Sequence, residues 1–268
     1  MMRGRTFLLL LFVLVACTRM ETDPSVCSQT TLILGFAESF PTRAGNPDEM
    51  LVEDYNLFIF NSFGDLEEKA FVRGAPVYRT RLLRDASYTI LVAANMGYEL
   101  PIRSLEEARA FRFYLAYPDE YSHGMPMVAL LEDVVPAAEQ MLPLERLMAR
   151  IDVSLDRSAL EEDAVFKVVG LTVGHCPSSA TLFPGSEAEE VFAGGFSKRN
   201  GEVDAVNRGG AVSLYTLENC AGGTYVDVAA EFHSAEYHTD PGERIHYRLP
   251  LPPLLRNTIY PVVLRINE

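Results

Sequence analysis

The sequence predicts an all-β protein: β-sandwiches in tandem, with one short covering helix. Three observations predict it. Strict alternation recurs, with Ile151, Val153 and Leu155 on one face and Arg150, Asp152, Ser154 and Asp156 on the other. Val226, Val228, Ala230 and Phe232 repeat the pattern, as do Ile245, Tyr247, Leu249 and Leu251, and then Tyr260, Val262, Leu264 and Ile266. Second, residues 54–63 and 88–94 are apolar on both faces, which marks central strands. Third, only residues 104–115 carry a convincing apolar stripe at helical spacing. Many short strands with turn signals and few helices define the class.

In chain order, residues 31–36 form a first short apolar strand. Residues 40–50 hold two prolines and a glycine and read as a loop. In the strand that follows, Leu57, Ile59 and Asn61 point one way, Phe58, Phe60 and Ser62 the other, and Gly64-Asp65 turns the chain. Residues 76–83 and 87–94 read as a pair around Arg84-Asp85-Ala86, ended by the turn Asn95-Met96-Gly97. Ser104 and Glu107 fit a capping box for a helix whose stripe is Leu105, Ala108, Phe111 and Leu115. Arg112 falls at the stripe's edge, where its stem can lie on apolar surface. Residues 127–131 are a strand, and residues 132–145, with Pro136 and Pro143, read as the boundary between domains. Residues 164–173 are a strand with a bulge expected at Gly170. Residues 180–210 are a long excursion rich in glycine and polar residues. Pro261 restricts the last strand to an edge, a strand start or a bulge.

The N-terminus has its own logic. Arg3 and Arg5 precede an unbroken apolar run from Phe7 to Ala16, the layout of a removable secretory signal. The run is far shorter than the ~20 apolar residues a membrane-crossing helix requires. Leu14-Val15-Ala16-Cys17 resembles the lipobox of bacterial lipoproteins. That resemblance implies cleavage before Cys17 and a diacylglycerol on its thiol. Each buried methylene adds ~0.8 kcal/mol of membrane affinity, so several acyl chains make a lasting tether. The expected layout is a signal peptide at residues 1–16, a lipidated tether at 17–29, an N-terminal sandwich at 30–143 and a C-terminal sandwich at 144–268.

Composition narrows the function. The chain of 268 residues is 48% apolar, enough for a substantial core. Its net charge is -14, and loss of Arg3 and Arg5 with the signal makes it -16. Such a surface repels nucleic acid and anionic headgroups. Of the four cysteines, Cys17 is assigned to lipid and Cys27 sits in the tether, which leaves Cys176 and Cys220 as the expected disulfide. No CxxC or HExxH spacing, nucleophile elbow or phosphate loop occurs, so no catalytic residue, metal or cofactor is expected. His175 and Cys176 are adjacent and point to opposite faces of a strand, which argues against a thiol pair.

Several stretches together resemble the fimbrillin and fimbrial-anchor superfamily of Bacteroidetes, the builders of type V pili. They are the lipobox, a first strand followed by Thr42-Arg43-Ala44, and the acidic lead Val52-Glu53-Asp54-Tyr55 into an aromatic strand ending near Gly64. Then come Pro143-Leu144-Glu145-Arg146 leading to Ile151-Asp152-Val153, Tyr215-Thr216-Leu217-Glu218-Asn219, and Arg256-Asn257-Thr258-Ile259-Tyr260. The likeness spans nearly the whole mature chain. It implies two transthyretin-like sandwiches, an outer-membrane location, and other fimbrial subunits as partners through strand-mediated contacts. It also implies that Arg43, with Ala44 after it, is a protease site in stalk subunits, where the first strand leaves and a partner's strand replaces it. Anchor members keep that strand and their lipid, and the anchor reading is preferred here. The final strand, residues 258–266, is expected to complete its own domain. The alternative is a lipoprotein that binds surface glycans, against which the absence of tryptophan counts. Glu218-Asn219 is expected to hold a turn or a neighbouring strand rather than to catalyse.

Overall fold

The computed structural model describes residues 29–38, 51–75, 77–117, 124–160, 164–185, 191–192, 195–233 and 243–266. The signal, the tether, Cys17, Cys27, the loop at 40–50 with Arg43 and Ala44, Pro76, His123 and His238 lie outside the described residues.

The first half is built from β1 (Gln29–Glu38), β2 (Asp54–Asn61), β3 (Leu66–Arg73), β4 (Val77–Leu83) and β5 (Tyr88–Ala94), then α1 (Leu105–Ala110), β6 (Arg112–Tyr114), β7 (Met127–Val134) and β8 (Glu139–Arg146). Seven of these strands form one sheet in the order β3-β2-β5-β7-β8-β1-β4. The sheet curls over itself into two layers. Leu32 and Leu34 of β1, Leu82 of β4 and Leu142 and Leu144 of β8 pack onto Leu57 and Ile59 of β2 and Ile90 and Val92 of β5. The two end strands are tied by Glu68 of β3, whose carboxylate accepts from Tyr78 Oη at 2.5 Å and from Thr80 Oγ1, both on β4.

The other face of β2 and β5 is buried too. Phe58, Phe60, Leu91 and Ala93 pack with Ala108 of α1 and with Leu147, Met148, Ala180, Leu182, Tyr215 and Leu217 from the second half. This is why both strands are apolar on both sides.

The second half comprises β9 (Met148–Asp156), β10 (Val165–Gly174), β11 (Cys176–Pro177), β12 (Ser179–Thr181), β13 (Val191–Phe192), β14 (Phe196–Arg199), α2 (Asp204–Asn207), β15 (Ala211–Leu217), β16 (Tyr225–His233), β17 (Glu243–Pro250) and β18 (Ile259–Arg265). Two sheets, β15-β9-β18 and β14-β10-β16-β17, face each other. Ile151, Val153, Val168, Leu171, Val173, Leu214, Val226 and Val228 fill the space between them. The bulge expected at Gly170 is present as a register shift between Val168 and Gly170. Pro261 lies in β18, which among the described residues pairs only with β9 and so is an edge strand there. At Gly195, with φ of +67°, a side chain would place its Cβ 1.5 Å from the Val173 carbonyl oxygen, so only glycine admits the close approach that starts β14.

Four expectations change. Residues 76–83 and 87–94 do not form a pair: β4 joins β1, and β5 lies between β2 and β7, so the chain crosses from one layer to the other at Arg84-Asp85. The helix stops at Ala110, because Phe111 turns extended and residues 112–114 pair with β12 instead. Residues 132–145 are not a simple linker, since they include β8. The chain passes from the first sandwich to the second at Leu147, between β8 and β9. Residues 180–210 contain β13, β14, α2 and a 3-10 turn at Asn200–Val203.

The Glu68 tie has a pH signature. Burial first, and the Glu68 carboxylate second, push the Tyr78 phenol from 10.0 up to about 12. The folded state therefore holds this proton more tightly than the unfolded chain does. The contribution is complete below pH 10 and is lost as pH rises through about 12. Denaturant titrations between those two values are expected to show a loss of stability that Tyr78→Phe reduces. A residual loss is expected to persist, because burial also raises Tyr55 and Tyr98.

Candidate functional site

The resemblance directs attention first to the seat of β1. This strand is interior. It runs antiparallel to β4, from Gln29 opposite Leu83 to Gly35 opposite Val77. It runs parallel to β8, from Ile33 opposite Glu139 to Glu38 opposite Leu144. Leu32 and Leu34 are completely buried and point between the layers. Withdrawing β1 would break two backbone ladders and expose both leucines. Each leucine is worth ~1.5–3 kcal/mol and each ladder bond ~0.5–1.5 kcal/mol. An emptied seat would be an apolar groove with unpaired backbone on both rims, which demands another strand. β1 lies on the N-terminal side of Arg43 and on the C-terminal side of Cys17.

The second constellation joins the two sandwiches. Glu218 and Arg256, drawn from two separate stretches of the resemblance, form a buried ion pair, at 1% and 5% side-chain exposure. The Arg256 guanidinium also donates to the carbonyls of Thr181, Leu182 and Phe183 at 2.9–3.0 Å. Those residues belong to the segment that packs on the first sandwich through Leu182. Asn219 and Leu254 exchange backbone bonds of 2.8 and 3.0 Å, and Asn219 Nδ2 donates to Gly222 O and Thr224 Oγ1. Asn257, at φ of +53°, donates its N–H to Met148 O and accepts from Arg146 Nε at 3.4 Å. Tyr260 Oη accepts from Leu255 N and donates to Pro253 O. The Glu-Asn and Arg-Asn-x-x-Tyr stretches thus brace the same joint, as a structural role for Glu218-Asn219 requires. Their pairing was not visible in the sequence, because 37 residues separate Glu218 from Arg256.

A third hub follows the first sandwich's central strands. Buried Asn95, in the turn after β5, accepts from Glu53 N at 2.9 Å and donates to the carbonyls of Leu51 and Met125 at 2.7 Å. It holds together the entry to β2 and the approach to β7. The sequence marked it only as a turn residue.

The expected disulfide is not formed: Cys176 and Cys220 are both thiols. Cys176 is turned into the second core, where its thiol donates to Val173 O at 3.1 Å. His175 lies on the surface with Nδ1 3.1 Å from Gly223 O, apart from the buried thiol that follows it. Among the described residues, no group of three or more His, Cys, Asp or Glu is placed to hold a metal ion. No helix among them is long and apolar enough to cross a membrane.

No family model and no curated protein matches the sequence. Solved structures do match the fold. A protein assigned to cell adhesion from Bacteroides eggerthii is 14% identical, with a TM-score of 0.62 over 89% of this chain and 87% of that one. The fimbrilin FimA of Porphyromonas gingivalis is 11% identical, with a TM-score of 0.62 over 89% and 90%. The tip fimbrial protein Mfa3 of Porphyromonas gingivalis, with a C-terminal truncation, is 12% identical, with a TM-score of 0.61 over 90% and 97%. The chain therefore has the all-β fold of Bacteroidetes fimbrial and cell adhesion proteins, and the matches extend across both sandwiches.

Two outcomes are expected. Arg256→Ala leaves Glu218 as an uncompensated buried charge and should cost ~3–5 kcal/mol in chemical denaturation. Replacing both partners with apolar residues should cost clearly less than the sum of the single changes. For the cysteines, burial raises the Cys176 thiol above its ordinary range. Native alkylation should leave Cys176 unmodified, unfolding should release it to the reagent, and non-reducing peptide maps should contain no Cys176–Cys220 link.

Proposed function

We propose that this protein is a fimbrial subunit, tethered to the outer membrane by lipid on Cys17 and seated at the base of a surface fibre. The observation that carries the reading is the placement of β1. It occupies an interior position in its own sandwich, within a fold shared with fimbrial proteins, and it lies between the lipobox and Arg43 along the chain. In this reading the Arg43-Ala44 bond stays intact, so strand, lipid and body remain one molecule. The work is mechanical and no reaction is involved. Contact with the next subunit is made by strand pairing, in which backbone bonds supply affinity and side-chain pockets supply selectivity.

The N-terminal peptide of protein taken from intact fibres tests this. Its mass is expected to correspond to an acylated Cys17, and Cys17→Ala is expected to move the protein from washed membranes into the soluble fraction. A start at Ala44 in most molecules would defeat the anchor model and assign the protein to the stalk. Deletion of the anchor should shed fibres into the medium or alter their length while the stalk subunit is still made.

A further inference from the structure

The outward face of β14-β10-β16-β17 carries a depression that the mechanical role does not use. Its volume is about 570 Å³, and its lining includes Arg199, Arg244, Thr172, Asn200 and His246. The sheet register explains its shape. Arg199, Gly170, Ala229 and His246 stand side by side on four adjacent strands. The two central positions have almost no side chain, so they form a floor, while Arg199 and His246 rise as walls. A Cβ built on Gly170 would stand 3.6 Å from Ala229 Cβ and 4.0 Å from Arg199 Cγ, which places the stem of Arg199 beside this floor.

The charge is as distinctive as the shape. The only carboxylate in the lining is Asp227, and both of its oxygens are taken by Arg248, at 3.0 and 3.3 Å. Lys167, at 3.9 Å, is the ion-pair partner of Glu231, which stands opposite Arg244 across the strands. The guanidiniums of Arg199 and Arg244 make no ion pair among the described residues. Two guanidiniums outside any ion pair among the described residues thus flank one depression on a chain of net charge -14, and the neighbouring carboxylates, Glu231 and Glu202, are paired with Lys167 and Lys198. Such a concave site concentrates anions. Guanidinium groups match carboxylates in a two-bond geometry. Thr172, Asn200 and His246 add hydroxyl, amide and imidazole groups suited to a polyol. The volume exceeds what a small inorganic anion fills and falls within the range of small-molecule sites, ~300–1,000 Å³.

We propose that this depression binds a carboxylated sugar, with the carboxylate on Arg199 and Arg244 and the ring hydroxyls on Thr172, Asn200 and His246. The inference stands apart from the fibre role, since it needs neither the lipid nor strand exchange. The test is titration of the full chain with glucuronate, glucose and acetate, followed by calorimetry and by amide shifts at Gly170 and Ala229. Glucuronate is expected to bind about tenfold more tightly than either glucose or acetate, and Arg199→Gln and Arg244→Gln are each expected to weaken it about tenfold. Both arginines are exposed, so unchanged thermal unfolding of the variants serves as the folding control. Glucuronate binding no tighter than acetate, or variants of unchanged affinity, would overturn the proposal.

Discussion

The structure depends on one constraint: β2 and β5 are apolar on both faces and can leave neither face to water. Leu57, Ile59, Ile90 and Val92 point one way, Phe58, Phe60, Leu91 and Ala93 the other, and all eight are completely buried. A single antiparallel sheet with one wet face cannot satisfy such strands. They require a cover on each side, and the two covers are different in kind. One is the layer β8-β1-β4, formed by the same sheet curling over. The other is the second sandwich, with α1 and the segment around Ala180 and Leu182 filling the gap.

That difference lies in how each cover is held. The second sandwich is bound to the first by a continuous apolar contact and by Arg256, whose guanidinium reaches Glu218 and three carbonyls at once. Separation there would strand a buried charge pair. The other cover includes β1, a single strand of ten residues that, among the described residues, is connected to the rest of its layer by ladders and by the buried Leu32 and Leu34. The clamp from Glu68 to Tyr78 and Thr80 holds β4 to β3 without involving β1. In the proposed reading β1 is the exchangeable element of an otherwise braced body, since a strand of similar alternation from another chain would satisfy the same groups.

The central strands were legible because burial on both faces leaves an unbroken apolar run, and β9, β10 and β16 because one wet face leaves clean alternation. Where sequence and structure part, a long-range pairing prevails over a local signal. β3, with Leu66-Glu67-Glu68-Lys69, shows no alternation because it is a half-exposed end strand. β8 was hidden by Pro143. At that residue the strand is paired only with β1, and β7 joins it only at Glu145 and Arg146, so one edge has no partner there to miss an N–H. Residues 112–114 left the helical stripe because β12 offers them a ladder. Cys176 and Cys220 were paired by an expected compartment and by elimination, yet spacing carries no information about which way a thiol points. Glu218 and Arg256 were each marked by resemblance, but only the folded chain brings them together. The depression over Gly170 and Ala229 had no signal beyond the bulge, since its walls come from four strands.

The order of three features along the chain limits what one molecule can do. Cys17 comes first, β1 second and Arg43 third. A cut after Arg43 would separate both Cys17, the proposed lipid site, and β1 from the covalent body in a single event. The seat cannot be vacated by that cut while the body stays tethered through Cys17, and the tether cannot survive it. In the proposed reading, covalent attachment through Cys17 and an open strand seat are therefore mutually exclusive outcomes of one bond. A retained lipid implies that β1 remains covalently joined to the body, where Leu32 and Leu34 complete the core locally at far higher effective concentration than any incoming strand. Such a molecule keeps its own groove filled, and it can contribute to a fibre only through other edges. This is the physical content of the proposed anchor: with lipid on Cys17, the same short segment that would fix the protein to the membrane would also withhold its groove from chain growth.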